Sequence, residues 1–102
     1  MGKIYFTIAG VNHYHGSDFL KKGMRVELEK EPDNQYDSEA IMVKMDALGK
    51  IGYVANSTHT VLGDCMSAGR IYDRVGKKTY GEVVHVVSGG VICKLCNKKK
   101  KK

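Results

Sequence analysis

The strongest constraint on what this chain can fold into is a period-two alternation of apolar and polar residues. It recurs in short runs, each closed by glycine or a turn cluster. Ile4, Phe6 and Ile8 alternate with Tyr5 and Thr7 before Gly10. Met24, Val26 and Leu28 alternate with Arg25, Glu27 and Glu29, a strand with one wet face. Ile41, Val43 and Met45 alternate with Met42 and Lys44, and Asp46-Ala47-Leu48-Gly49 turns the chain into Lys50-Ile51-Gly52-Tyr53-Val54. Residues 40–54 therefore read as a β-hairpin. Residues 79–87 and 90–95 are β-rich on either side of Ser88-Gly89-Gly90, and Arg70 to Val75 reads as one more strand. A single stretch has helical spacing. Asn56 or Ser57 would cap it, Val61, Leu62, Cys65 and Met66 share a face, and Gly69 suits the position after its end. A second helical turn is expected over Ser17 to Lys22, capped by Ser17 or Asp18. This pattern specifies a partly open β-barrel or an α+β meander around one core.

Composition bounds the rest. A chain of 102 residues makes one domain, too short for a large α/β barrel or a two-domain enzyme. The formal net charge is +6, from 17 Lys+Arg against 11 Asp+Glu, but Lys98 to Lys102 supply five of those cations. Residues 1–97 hold 12 positive and 11 negative side chains. The expected organisation is a domain over 1–96 and a lysine-rich tail over 97–102. A basic pI attracts phosphate, and here that attraction belongs to the tail. No apolar run approaches the roughly 18 residues of a membrane span, and no secretory leader is evident after the opening MGKIYF. Three cysteines, an odd number, argue against a disulfide framework. A cytoplasmic, intracellular protein without membrane partners is expected.

Two polar segments and one cysteine pair stand out. Glu31 to Ser38 separates two strong strands and places an aromatic, Tyr36, beside an amide, Asn34, and a carboxylate, Asp37. As a plain connector its Asp and Asn would bond their own backbone. As a site, the trio would stack a flat ring and hydrogen-bond a hydroxyl or base edge. Gly10 to Gly16 brackets Asn12, His13, Tyr14 and His15, a cluster of aromatic and imidazole groups suited to stacking on bases. Cys93-Lys94-Leu95-Cys96 is either a pair of ordinary free thiols, a redox pair, or half of a metal site. Cys93 and Cys96 are thus the candidate metal ligands and zinc the cofactor they would take. No nucleophile elbow, phosphate-binding loop or zincin motif occurs, so a non-enzyme is expected.

The residues together resemble a known family. Ile8-Ala9-Gly10-Val11 with His13-Tyr14-His15-Gly16, then Val26 to Pro32, then Asn34-Gln35-Tyr36-Asp37-Ser38-Glu39-Ala40-Ile41-Met42-Val43, and finally Lys50 to Val54 are similar to the HIRAN domain, in its stand-alone, bacterial form. The resemblance covers residues 3–87, and its E-P-x-N-x-Y-D-x-x-A-I segment is specific. It implies a mainly β (α+β) fold, a small OB-like or SH3-like barrel of about six strands with one or two short helices.

The resemblance also implies a function. HIRAN domains hold the 3′ end of single-stranded DNA, and some sit beside helicase-type motors in repair proteins. Carried over position by position, Tyr14 and Tyr36 would sandwich terminal bases, Asn34 would help to fix the nucleotide, and Asp37 would accept a hydrogen bond from the 3′-hydroxyl. The expected partners are single-stranded DNA or DNA ends, with a helicase- or nuclease-type protein. The nucleic-acid-binding set is Asn12, His13, Tyr14, Asn34, Tyr36, Asp37 and Tyr53. Three positions depart from the pattern. Asn12 and His13 stand where end-binding members carry Arg and an aromatic, and Tyr53 stands where a histidine follows the glycine. Weaker phosphate contact follows, for which Lys21, Lys22, Arg25, Lys77 and Lys78 are the compensating cations. The alternative is a protein-interaction or zinc-stabilised adaptor without nucleic-acid binding.

Overall fold

The structure is a computed structural model, and it describes residues 3–96. The lysine tail lies outside the described residues. Six antiparallel strands close into a barrel in the order β1-β4-β3-β2-β5-β6, with β1 Tyr5–Ala9, β2 Arg25–Lys30, β3 Ile41–Met45, β4 Gly49–Val54, β5 Lys78–Val87 and β6 Gly90–Cys96. Each strand sits where the alternation places it, and the barrel is closed, so no strand is left at a sheet edge over its whole length. Phe6 and Ile8, Val26 and Leu28, Ile41 and Val43, Ile51, Val83, Val91 and Cys93 turn inward and form the core.

β1 is buried on both faces: Phe6, Thr7 and Ile8 are all fully enclosed. Its outer face is covered by residues 55–68, and this is where the helix expected over 56–69 is replaced. The backbone there bonds sideways to β1 and to itself instead of along a helix. Ala55 N donates to Thr7 O at 2.8 Å, Leu62 N to Thr7 Oγ1 at 3.1 Å, and Met66 N to Tyr5 O at 2.8 Å. Gly63 sits at φ +52°, which breaks a right-handed helix in the middle of the segment. The helical spacing of Val61, Leu62, Cys65 and Met66 therefore belongs to a cover strip.

The one α-helix among the described residues, α1 Ala68–Tyr72, lies where a strand over 70–75 was expected. Ser67 decides it: its hydroxyl accepts from Arg70 N at 3.3 Å, and Ala68 and Ile71 are buried by the turn that follows. Gly69, expected beyond a helix end, is inside this one. The helical turn expected over 17–22 is a β-turn, closed by Leu20 N on Ser17 O, and a single 3₁₀ turn occupies Val11–His13 instead.

Two details of the β3–β4 hairpin bear on stability. Ala47 is the one described non-glycine residue with positive φ, at +76°. A Cβ in that region costs about 1–2 kcal/mol, so Ala47→Gly is expected to raise the thermal midpoint by about 4–8 °C per kcal/mol recovered. Thermal unfolding followed by circular dichroism checks this; an unchanged or lowered midpoint would show that the turn carries no strain. On β4, a Cβ at Gly52 would meet Ala9 O and Ile8 Cγ2, each at 2.7 Å. Only glycine lets β4 lie this close to β1.

Candidate nucleic-acid interface

The connection from β2 to β3, residues 31–40, is built from two turns clamped at their base. Glu31 N donates to Ala40 O, Asn34 N to Glu31 O and Ala40 N to Asp37 O, at 2.9–3.0 Å. Asn34 ties the turns together. Its Oδ1 accepts from Tyr36 N at 2.8 Å and from Asp37 N at 3.0 Å, while its Nδ2 donates to Glu31 Oε1 at 3.1 Å. This is the Asx chemistry expected of a connector, used here to present the next three side chains. Tyr36 stands 87% exposed at the tip.

Asp37 is oriented from two sides. One oxygen accepts from Glu39 N at 2.9 Å, and the other accepts from Asn56 Nδ2 at 2.9 Å. Asn56 is itself fixed, because its Oδ1 accepts from Gly69 N, in the first turn of α1, at 2.7 Å. Each carboxylate oxygen has two lone-pair directions and uses one here. Asp37 keeps acceptor capacity toward the cavity.

That cavity, about 570 Å³ and open to solvent, lies between the 31–40 loop, the end of β1 and the end of β4. Tyr14, Asn34, Tyr36, Asp37 and Tyr53 all line it, together with Asn56 and Thr60. Five of the seven candidate residues are thus brought together. Asn12 and His13 line a neighbouring cavity of about 210 Å³, which shares Ala9 and Thr60 with the first.

Beneath the wall, the polar ends of the site converge on Glu31. The Tyr53 hydroxyl donates to Glu31 Oε1 at 2.7 Å and accepts from Lys50 Nζ at 2.8 Å, and Lys50 Nζ lies 3.7 Å from Glu31 Oε2. The same ammonium sits 4.8 Å from the Tyr53 ring centroid and 5.8 Å from that of Tyr14. Partial burial opposes ionisation of Glu31, but the bonds from Tyr53 and Asn34 and the charge of Lys50 outweigh it and hold its pKa below the ordinary carboxylate value. Lys50 is pushed up by its bond to Tyr53, with Glu31 adding to the effect. Burial pushes the Tyr53 phenol up, against the bond from Lys50. This is a charged brace under aromatic walls, and Tyr53 offers the cavity its ring with the hydroxyl already committed.

The cysteine pair does not converge. Cys93 and Cys96 are three apart on an extended strand, so their side chains leave opposite faces of β6. Cys93 is fully enclosed, and burial, with Cys65 and Cys96 nearby, pushes its thiol up to about 12. Among the described residues no group of three or more His, Cys, Asp or Glu side chains is placed to hold a metal ion.

The HIRAN domain family model matches residues 1–87. The chain belongs to the HIRAN domain family. No functionally curated protein matches it. Two solved structures share the fold. A protein from Lactobacillus plantarum is 22% identical with a TM-score of 0.62, over 92% of this chain and 93% of that one. The HIRAN domain of human HLTF is 18% identical with a TM-score of 0.61, over 96% of this chain and 78% of that one. HIRAN domains are DNA-binding modules, and the closed six-strand barrel is their OB-like fold. Among the described residues of this HIRAN domain no helix is long and apolar enough to cross a membrane.

Sequence reasoning missed Asn56 and Lys50 as parts of the site. Asn56 reads as a helix cap and Lys50 as a hairpin residue, and nothing local marks either one. Each has its partner 19 residues away in sequence, Asp37 for Asn56 and Glu31 for Lys50.

Proposed function

We propose that this HIRAN domain binds single-stranded DNA by its 3′ end, without catalysis, in the cavity between Tyr14, Tyr36 and Asp37. The observation that carries this reading is the meeting of two exposed tyrosines, 42% and 87% accessible, with an oriented carboxylate in one open cavity. The tyrosine rings offer a stacking surface to any base. Asp37 accepts a hydrogen bond from a free hydroxyl and repels the added charge of a 3′-phosphate, so end selectivity follows from electrostatics alone. Asn34 acts here through the backbone of Tyr36 and Asp37, which its Oδ1 holds. Asn12 and His13 line the adjoining cavity, and with an amide and an imidazole where the family carries arginine, the phosphate contact of a guanidinium is missing there. The adaptor alternative has no comparable convergence of groups behind it.

Fluorescence titration of a short 5′-labelled oligonucleotide, carrying either a free 3′-hydroxyl or a 3′-phosphate, tests the reading. Tighter binding of the hydroxyl form is expected. Equal affinities, or binding of neither at low salt, would overturn it. In the same assay Tyr36→Ala is expected to weaken binding by about 1–3 kcal/mol, the worth of one base stack. Its thermal midpoint should stay unchanged because the ring lies outside the core.

A further inference from the structure

A strand held by its end must carry its remaining phosphates away, and the three grooves that adjoin the cavity differ in charge: the one past Asn56 and Ser57 holds a single cation, Arg70. On the Ala9–Thr60 side the smaller cavity is lined by no Lys, Arg, Asp or Glu. At the 31–40 loop Asn34 is shared with a groove of about 320 Å³ that contains Lys30, Asp33 and Lys77. Lys30 N donates to Lys77 O at 2.9 Å, which fixes the two lysines side by side. Lys30 Nζ rests 4.3 Å from the centroid of the Tyr72 ring, so the ammonium is braced. Lys77 is exposed, and the ion pairs among the described residues, Lys44–Glu29 and Lys50–Glu31, do not include it. The Glu31 carboxylate of this groove is occupied by Tyr53, Asn34 and Lys50, which leaves Asp33 as the opposing charge. The compensating cations expected from the sequence divide accordingly. In the strand register Lys78 stands opposite Glu29 at this end of β2, whereas Arg25 stands opposite Glu82 at the far end.

Resting on the end-binding reading above, we propose that the strand leaves the cavity across Asn34 and lays its next phosphates on Lys30 and Lys77. The terminal nucleotide is then held by neutral and acidic groups, and salt sensitivity enters only with chain length. Each phosphate contact made by a single strand contributes a slope of about −0.7 in log affinity against log salt.

The test uses the full-length protein and 5′-labelled oligothymidylates of two and eight nucleotides with free 3′-hydroxyls, titrated over a series of NaCl concentrations. Lys77→Ala and Lys30→Met are each expected to make the eight-nucleotide slope shallower by about 0.7. Both should leave dinucleotide affinity and the preference for a 3′-hydroxyl unchanged, and Asp33→Asn should tighten the longer strand. Ser88→Asp, which places a charge in the neutral cavity, should have no effect on either length. Unchanged slopes in the lysine variants, equal losses at both lengths, or a large loss in Ser88→Asp would overturn the proposed path. If the short oligonucleotide still prefers a free 3′-hydroxyl, end binding stands while the path falls. If the unmodified protein binds neither length, both fall together.

Discussion

Asp37→Asn is expected to erase most of the discrimination between a 3′-hydroxyl and a 3′-phosphate. A hydrogen bond to a charged group is worth about 1.5–3 kcal/mol, and each 1.4 kcal/mol is a factor of about ten. Affinity for the hydroxyl end should therefore fall by roughly ten- to a hundredfold. Affinity for the phosphate end should rise, because the repelling charge is gone, so the ratio moves more than either constant. The substitution has a second effect that must be separated from the first. Asn56 Nδ2 donates to one Asp37 oxygen, and Asn56 cannot simply turn over because its Oδ1 holds Gly69 N. An amide nitrogen at that position would set donor against donor. A small loss of thermal stability is expected alongside the lost preference. Two titrations and one melting curve check both effects; a variant that melts normally and keeps the full preference would remove Asp37 from end recognition.

Gly52→Ala is expected to have the largest effect on stability. The added methyl would lie 2.7 Å from Ala9 O and from Ile8 Cγ2, with Val11 Cγ1 at 3.4 Å. A flexible side chain could retreat, but a backbone oxygen moves only with its strand. The β1–β4 seam it belongs to is short, registered at Ile8↔Val54 and Ala9↔Tyr53. Overpacking of this kind costs about 1–3 kcal/mol, or on the order of 5–20 °C in the midpoint of a domain this size. Because Ala9, Tyr53 and Val54 all line the binding cavity, oligonucleotide affinity should fall with it. Thermal unfolding measures the first effect and titration the second. A variant that melts like the parent would show that β1 and β4 can part without loss.

The barrel was legible because strand alternation is written locally: each run from Ile4 to Leu95 states its own inward face. The segment over 56–75 was not, because its apolar spacing has two uses. Val61, Leu62, Cys65 and Met66 would suit a helix, but they serve a strip laid over the outer face of β1, and Thr7 supplies bonds that no local pattern announces. Arg70 to Val75 has β-branched residues, yet the Ser67 hydroxyl caps a helix there. Within the site, Tyr36, Asp37 and Asn34 were readable from one polar insertion. Glu31, Lys50 and Asn56 were not assigned, since their work depends on where β4 and α1 bring distant residues. The cysteine pair shows the converse. A two-residue spacing signals chelation only where the chain turns, and on β6 it separates the thiols.

The loop over 31–40 closes on itself, Glu31 against Ala40, and holds its amide, aromatic and carboxylate with bonds made before any ligand arrives. Capture then involves little ordering of the protein, so encounter is governed by diffusion and charge, while the stack and the carboxylate contact govern departure. The Tyr36→Ala variant, which changes no charge, should accordingly differ from the parent in how long a DNA end stays, and hardly at all in how quickly it is found.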